Sequence, residues 1–415
     1  MQVARLLAIG TELALGQSVD TNSAWLAKRL AERGLRSQGH ECVADDLDAI
    51  VDAFVRAASK ADVVVATGGL GPTDDDLTRA AIARAAGVRL VEREEALCDV
   101  LAFFEARRRA MPERNRVQAQ MPEGARVLLN SCGTAPGIHI RIGRAEVFSL
   151  PGVPLEMRTM YETGVAPALP PVGGAVLRSR AIHTCGRPEA EVNDLLGELM
   201  MRGRNPEVGT SAALGEITVK INVEAASAAE ADRMIAETEQ LVSERLGDAV
   251  YGHDGESLAF SLGSLLKRRR ETLAVAESCT GGLLGELLTD AAGSSAYFLG
   301  GAISYHNDAK RELLGVDGVL LEKHGAVSAP VAIAMAEGAA RRLNADHALS
   351  ITGIAGPGGG TAEKPVGLVY VGVAGKTGVE AREFFLGADQ PRDFIRQRAA
   401  RGAINWLRTR LLRGR

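Results

Sequence analysis

Two rhythms of apolar and polar positions alternate along this chain. Over residues 1–169, short apolar runs at 3–9, 62–66 and 145–150 read as buried strands. Stretches of helical period at 22–33, 49–59 and 77–86 accompany them, the first with Trp25, Leu26 and Leu30 on one stripe. Continuous apolar strands separated by one-faced helices predict a three-layer α/β domain around a largely parallel sheet. The same alternation returns over 255–415, with helices expected at 257–268, 280–289, 328–343 and 391–412. Strands are expected there at 272–276, 299–304, 347–352 and 366–374, which makes a second three-layer α/β domain.

Residues 175–252 follow a different pattern. Pro188 suits the first turn of a helix in which Val192, Leu195, Leu196 and Leu199 share a face. Ile217, Val219, Ile221 and Val223 alternate strictly with polar neighbours, as a half-buried strand does. Met234, Ile235, Leu241 and Val242 mark a second helix. The order strand-helix-strand-strand-helix-strand predicts a small split α+β connector. Residues 167–174, with Pro167, Pro170, Pro171, Gly173 and Gly174, read as the linker before it.

Composition narrows the function classes. A chain of 415 residues with 46% hydrophobic and 24% charged content is an ordinary soluble globular protein of about two to four domains. A net charge of -4 supplies no overall pull toward nucleic acid or anionic membrane. Aromatics at 4% provide no evident stacking platform for single strands. Five scattered cysteines without a C-x-x-C spacing argue against a disulfide framework or zinc knuckle and suit a reducing cytosol. The apolar run at 3–9 is too short for a signal segment, and no stretch approaches the ~20 apolar residues that span a bilayer. A cytoplasmic protein is expected.

The sharpest chemistry lies in Ala276-Glu277-Ser278-Cys279-Thr280-Gly281-Gly282 and, downstream, Ser304-Tyr305-His306-Asn307-Asp308-Ala309-Lys310. Ser278 follows an expected strand and opens an expected helix, where a hydroxyl is exposed and free backbone N–H groups point at a reacting atom. It reads either as a nucleophile or as a plain helix cap. Gly281 and Gly282 in the first helical turn cost about 1 kcal/mol each and call for a reason, such as close approach of an anionic ligand. Lys310 beside a phenol and a serine favours deprotonation of either hydroxyl, or is itself the base once desolvated. Cys279 competes as nucleophile but reads as a small buried neighbour. The loop from Thr352 to Gly360 reads as a phosphate or ribose cradle or as a flexible crossover, and Ser328 as a helix cap with Pro330 in the first turn. Together these residues point to amide hydrolysis without a metal.

A second glycine loop, Gly68-Gly69-Leu70-Gly71-Pro72-Thr73-Asp74-Asp75-Asp76, sits between an expected strand and helix. Its amides can face a phosphate and its aspartates can hold a divalent cation, or they can serve as caps and dipole-friendly first-turn residues. The loops at 10–23 and 150–156 are expected beside it, where open α/β sheets bind ligands.

The C-terminal motifs, with Gly-Ala-Val-Ser at 325–328 and Lys-Pro-Val-Gly at 364–367, resemble the C-terminal domain of the CinA (competence/damage-inducible protein A) family across nearly all of 255–415. The resemblance implies hydrolysis of the carboxamide of nicotinamide mononucleotide to nicotinic acid mononucleotide and ammonia. Ser278 is then the nucleophile, Tyr305 and Lys310 its activating partners, and Thr280, Gly281, Gly282, Gly353 and Gly356 bind substrate. Residues 1–169 resemble the family's molybdopterin-binding-like domain, which implies metal-dependent ADP-ribose pyrophosphatase activity. Glu12, Asn22, Gly68, Gly69, Gly71, Thr73 and Glu156 would then surround the nucleotide. Asp75 and Asp76, with Asp20 or Glu156, would bind a magnesium, manganese or cobalt ion.

The middle unit is similar to the family's KH-type connector. It lacks a clear G-x-x-G clamp, offering only Arg202-Gly203-Arg204-Asn205-Pro206, and reads as a spacer that helps form a homodimer. The expected partners are small nucleotides, with no direct nucleic-acid contact and no membrane. Two rival readings stay open: an N-terminal domain that only binds a nucleotide or pterin, and a non-catalytic interaction protein for DNA uptake or damage response.

Overall fold

The computed structural model describes residues 3–169 and 176–414. The expected linker falls largely outside them, and Pro167, read as its first residue, instead lies within a short helix, Ala166–Ala168. The chain divides into two compact units, residues 1–178 with 223–232 and residues 179–222 with 233–415. No helix of the described residues is long and apolar enough to cross a membrane.

In the first unit a six-stranded sheet runs in the order Arg36–Val43, Val3–Ile9, Val63–Thr67, Ala145–Leu150, Gly137–Ile142, Arg126–Leu128. The first four strands are parallel, and the last two form an antiparallel edge that the apolar pattern did not reveal. Alternating side chains feed two cores. Leu7 packs with Ile50, Phe54 and Ile82 on one face, and Leu6 packs with Leu26, Leu30 and Met157 on the other. That arrangement is the expected three-layer sandwich. Because Val3–Ile9, Val63–Thr67 and Ala145–Leu150 are adjacent and parallel, the loops that leave them share one edge of the sheet.

The connector follows the expected element order. Its four-stranded sheet runs Glu207–Ala213, Glu216–Ala225, Val176–Cys185, Val250–His253, with the helices Glu189–Leu196 and Ala228–Leu246. Val192, Leu196 and Leu199 are buried as expected, whereas Leu195 and Leu241 face solvent.

The C-terminal sheet runs Phe298–Ile303, Leu273–Glu277, His347–Gly353, Leu368–Gly375, Gly378–Phe385. The first three strands are parallel and the last two antiparallel. The strand Gly378–Phe385 escaped the pattern because its alternation is of mostly exposed residues at the sheet's edge. Helices Leu258–Arg269 and Arg392–Leu412 pack on one face through Leu262, Leu266, Ile395 and Ile404. Helix Ala329–Leu343 covers the other through Val331, Met335 and Ala336. Here too three parallel strands deliver their following loops to a single edge.

Candidate active sites

Ser278 is the first residue after the strand Leu273–Glu277, and its N–H extends the ladder to the Ile351 carbonyl at 2.9 Å. The backbone then turns through Gly281 and Gly282, both left-handed with φ of 58° and 99°, before the helix begins at Leu283. The two glycines therefore lie ahead of the helix and not in its first turn. They are glycines because the turn needs positive φ, which other residues adopt at a cost.

Behind the turn sits Glu277, 2% exposed, with its carboxylate accepting from the N–H groups of Gly282, Leu284 and Gly285 at 2.9–3.0 Å. The helix start is thus already occupied by an anion from the chain itself and does not present free donors to a substrate. The amides of Cys279 and Thr280 have no backbone acceptor among the described residues.

The neighbouring parallel strand, Phe298–Ile303, leads into Ser304, Tyr305 and the helix Asn307–Leu314, which carries Lys310. Lys310 is 1% exposed, and its Nζ lies 3.1 Å from Ser278 Oγ. The same nitrogen donates to the Ser304 carbonyl at 2.8 Å and the Tyr305 carbonyl at 3.2 Å. Burial lowers the pKa of Lys310 from its usual value, since a buried ammonium loses hydration. A neutral amine has two hydrogens and one lone pair. With both hydrogens directed at carbonyls, the lone pair faces the serine hydroxyl.

Tyr305 is placed differently from its expected role. Its carbonyl, not its phenol, faces Lys310, and the side chain is 60% exposed with its hydroxyl accepting from Arg392 Nη2 at 3.1 Å. Among the described residues no hydrogen bond joins the phenol to Ser278. Cys279 is buried, and loss of hydration pushes its thiol up to about 11, so it carries little thiolate near neutral pH.

Ser278, Cys279, Tyr305, Lys310, Thr352, Gly353, Gly356 and Arg392 all line a cavity of about 270 Å³. That lies at the lower edge of the roughly 300–1,000 Å³ of small-molecule pockets. Thr280, Gly281 and Gly282 do not line it. The Thr280 carbonyl instead accepts from Arg396 Nη2 at 2.5 Å. Ser328 stands at the N-cap of Ala329–Leu343, but its hydroxyl donates to the Gly325 carbonyl at 2.9 Å and not to the helix.

In the first unit, the loops after Ile9, Thr67 and Leu150 enclose a cavity of about 400 Å³. Glu12, Gly68, Gly69, Gly71, Thr73, Asp75, Asp76 and Glu156 line it, together with Asp45 and Gln118. Gly68, at φ 103°, passes so close to the first strand that an added Cβ would meet the Ile9 carbonyl oxygen at 2.1 Å. Asp76 accepts from the Gly71 and Thr73 amides at 2.7 and 2.8 Å, which makes it a brace of its own loop. Arg79, buried beneath, donates to the Leu70 and Gly71 carbonyls at 2.6 and 2.8 Å. Two expected residues stand outside the lining. Asp20 caps the helix Thr21–Glu32 by accepting from Ser23 N, and Asn22 holds the Gly152 carbonyl at 2.7 Å.

The donor set of this cavity is five carboxylates with no lysine or arginine. Among the described residues, no three acidic, histidine or cysteine side chains converge as a metal cage. Oxygen-only donors of this kind suit a hard divalent ion that takes one or two carboxylates, waters and a ligand's phosphate oxygens.

Residues 255–411 match the family model described as CinA C-terminal domain, and 179–252 the one described as Damage-inducible protein CinA KH domain. Residues 5–171 match the one described as "Probable molybdopterin binding domain". The chain is 43% identical over 412 residues to a CinA-like protein of Synechococcus sp. (strain RCC307), covering 98% of each. The chain belongs to the CinA family. A CinA-like protein of Gloeobacter violaceus is also 43% identical, over 99% of this chain and 96% of that one. Among solved structures, the competence/damage inducible protein CihA from Agrobacterium tumefaciens is 42% identical, covering 37% of this chain and 94% of that one, with a TM-score of 0.35.

Arg392, Glu277 and Asp45 are among the residues of these CinA-family sites that were not singled out from sequence, as are Gln118 and Arg79. Arg392 arrives from a helix 114 positions beyond Ser278, and arginines are frequent on that helix. Glu277 lay in view inside its motif but gave no sign of facing backward. Asp45 sits after an exposed strand, and its carboxylate accepts from Thr11 N at 2.8 Å.

Proposed function

We propose that the C-terminal domain hydrolyses the carboxamide of nicotinamide mononucleotide through Ser278, with Lys310 as general base. The observation that carries this reading is the 3.1 Å approach of a buried lysine amine to the serine hydroxyl. Lys310 takes the hydroxyl proton as Ser278 Oγ bonds to the carboxamide carbon. The tetrahedral oxyanion is held by N–H groups before the helix, beginning with Cys279. The C–N bond then breaks, Lys310 returns the proton to the leaving nitrogen, and ammonia departs. Water, giving a proton to Lys310, bonds to the acyl carbon; the C–Oγ bond breaks, Lys310 returns the proton to Ser278 Oγ, and nicotinic acid mononucleotide is released. Arg392, which lines the same cavity, supplies the positive charge for the nucleotide's phosphate.

We infer that the N-terminal cavity binds ADP-ribose and cleaves its diphosphate with a divalent ion. A diphosphate entering a lining of five carboxylates requires a neutralising cation, and Asp75 with Glu156 would hold it. Such an ion supplies charge neutralisation and an activated water when bound. A second reading, binding without hydrolysis, is favoured by the lack of converging ligands among the described residues.

Two assays test these readings. Purified full-length protein should release ammonia from nicotinamide mononucleotide, and Ser278→Ala should abolish it with the fold intact. Absence of release under every buffer and metal condition would overturn the amidase reading. Turnover of ADP-ribose should require added magnesium, manganese or cobalt. Tight binding with no turnover leaves the second reading standing.

A further inference from the structure

An arginine-rich cleft lies within the second unit and shares no lining residue with the amidase cavity. One end, about 400 Å³, gathers Arg187, Arg382, Arg398, Arg401 and Arg413 against only two carboxylates, Glu191 and Asp248. The other end, about 690 Å³, is mainly apolar, with Ile217, Phe384 and Phe394 among its walls. Six residues belong to both ends, Arg398 and Phe384 among them, so the two are one continuous cleft.

Three of the arginines are paired. Arg187 bonds Glu191, Arg401 lies 3.4 Å from Glu216, and Arg413 lies 3.2 Å from Asp248. Arg382 and Arg398 have no carboxylate partner among the described residues. Each instead sits over an aromatic ring, Arg382 at 4.8 Å from Trp406 and Arg398 at 5.7 Å from Phe394. Two unpaired guanidinium groups in one cleft repel each other until an anion joins them, and their planar forks match phosphate.

Asn405 accepts from the buried Arg408 Nε at 3.1 Å through its Oδ1, which turns its amide hydrogens to the cleft. An added Cβ at Gly186 would come within 2.9 Å of Asn405 Nδ2, and one at Gly215 within 2.9 Å of Arg398 Nε. Glycine at these two positions lets both loops approach the cationic end closely.

We propose that this cleft binds a phosphate-bearing nucleotide. Its phosphate lies between Arg382 and Arg398, and its base lies on the apolar side against Phe384 and Phe394. The proposal does not depend on the amidase reading, because no residue of that mechanism takes part.

The chain has two tryptophans, and one of them, Trp406, lines the cleft. In full-length Trp25→Phe protein, Trp406 emission reports this site alone. Titration with adenosine monophosphate should give a saturable change. Apparent affinity should fall by about tenfold or more in Arg398→Ala and in Arg382→Ala, because each substitution removes a charge-assisted hydrogen bond to the phosphate. Neither side chain is ion-paired among the described residues, so removal strands no carboxylate there, and Arg398→Lys should recover part of the affinity. Adenosine should produce no saturable change, and inorganic phosphate should compete weakly. No saturation at millimolar nucleotide, equal affinity in the arginine variants, or adenosine as effective as its monophosphate would each overturn the proposal. Inorganic phosphate matching the nucleotide in affinity would reduce the cleft to a simple anion site and overturn it as a nucleotide site.

Discussion

The two glycine loops at the two sheet edges solve the same problem with the carboxylate on opposite sides. Each loop leaves a buried parallel strand with backbone N–H groups that need acceptors, and each is braced by an acid of its own chain. In the C-terminal domain the acid is Glu277, buried behind the turn, so the front of the turn is left to Ser278 and Lys310. In the N-terminal domain the acid is Asp76, which lines the cavity itself. The first arrangement leaves a cavity without a carboxylate among its described lining residues, with Arg392 in its wall and the Lys310 amine in contact with the Ser278 hydroxyl. The second leaves a cavity lined by five carboxylates, the feature on which the proposal of a neutralising cation rests. On the proposed readings, a shared strand-loop-helix plan would serve covalent chemistry in one domain and ion-assisted binding in the other.

Substitutions at the two loops separate these arrangements. Ser278→Ala should lower ammonia release by about 10³-fold or more. A variant keeping a tenth of the activity would place the nucleophile elsewhere. Lys310→Met should cost about 10²–10⁴-fold, measured by the same assay. The pH profile carries its sign. Burial lowers the Lys310 pKa, and only the neutral amine accepts a proton, so the rate should rise with pH along a limb centred below 10.5. That limb should vanish in Lys310→Met; its persistence would assign it to another group.

Glu277→Ala leaves three loop and helix amides without their acceptor and should destabilise the protein by about 3 kcal/mol in urea unfolding. Asp76→Ala, at a more solvated loop, should cost about 1 kcal/mol and, by loosening the loop that carries Asp75, should lower metal-dependent turnover of ADP-ribose. Equal losses of stability would erase the contrast between a brace behind the loop and one inside the cavity. Arg392→Ala should raise KM for nicotinamide mononucleotide by about tenfold with a smaller change in kcat. Tyr305→Phe should be mildest, less than about fivefold in kcat/KM, because it removes only an exposed hydrogen bond to Arg392. A loss as large as that of Lys310→Met would return the phenol to the proton-transfer path.

The chain's linear pattern determined a great deal. Alternating apolar runs and one-faced helices are enough for two α/β layers of sheet and helix, because burial on both faces of a strand leaves no other economical pattern. The connector's strict alternation from Ile217 to Val223 was equally plain. Edge strands such as Gly378–Phe385 were not, since their mixed exposure resembles a loop. Glycine-rich segments marked both cavities, because positive φ has few substitutes. Which atoms meet, by contrast, follows from how distant segments pack. Parallel pairing of Leu273–Glu277 with Phe298–Ile303 brings Lys310 to Ser278 across 32 positions, and the packing of Arg392–Leu412 brings Arg392 across 114. Whether a phenol or an amine faced the serine depended on how one turn after a strand is oriented. That orientation is set by contacts between segments distant in sequence, which local pattern does not encode.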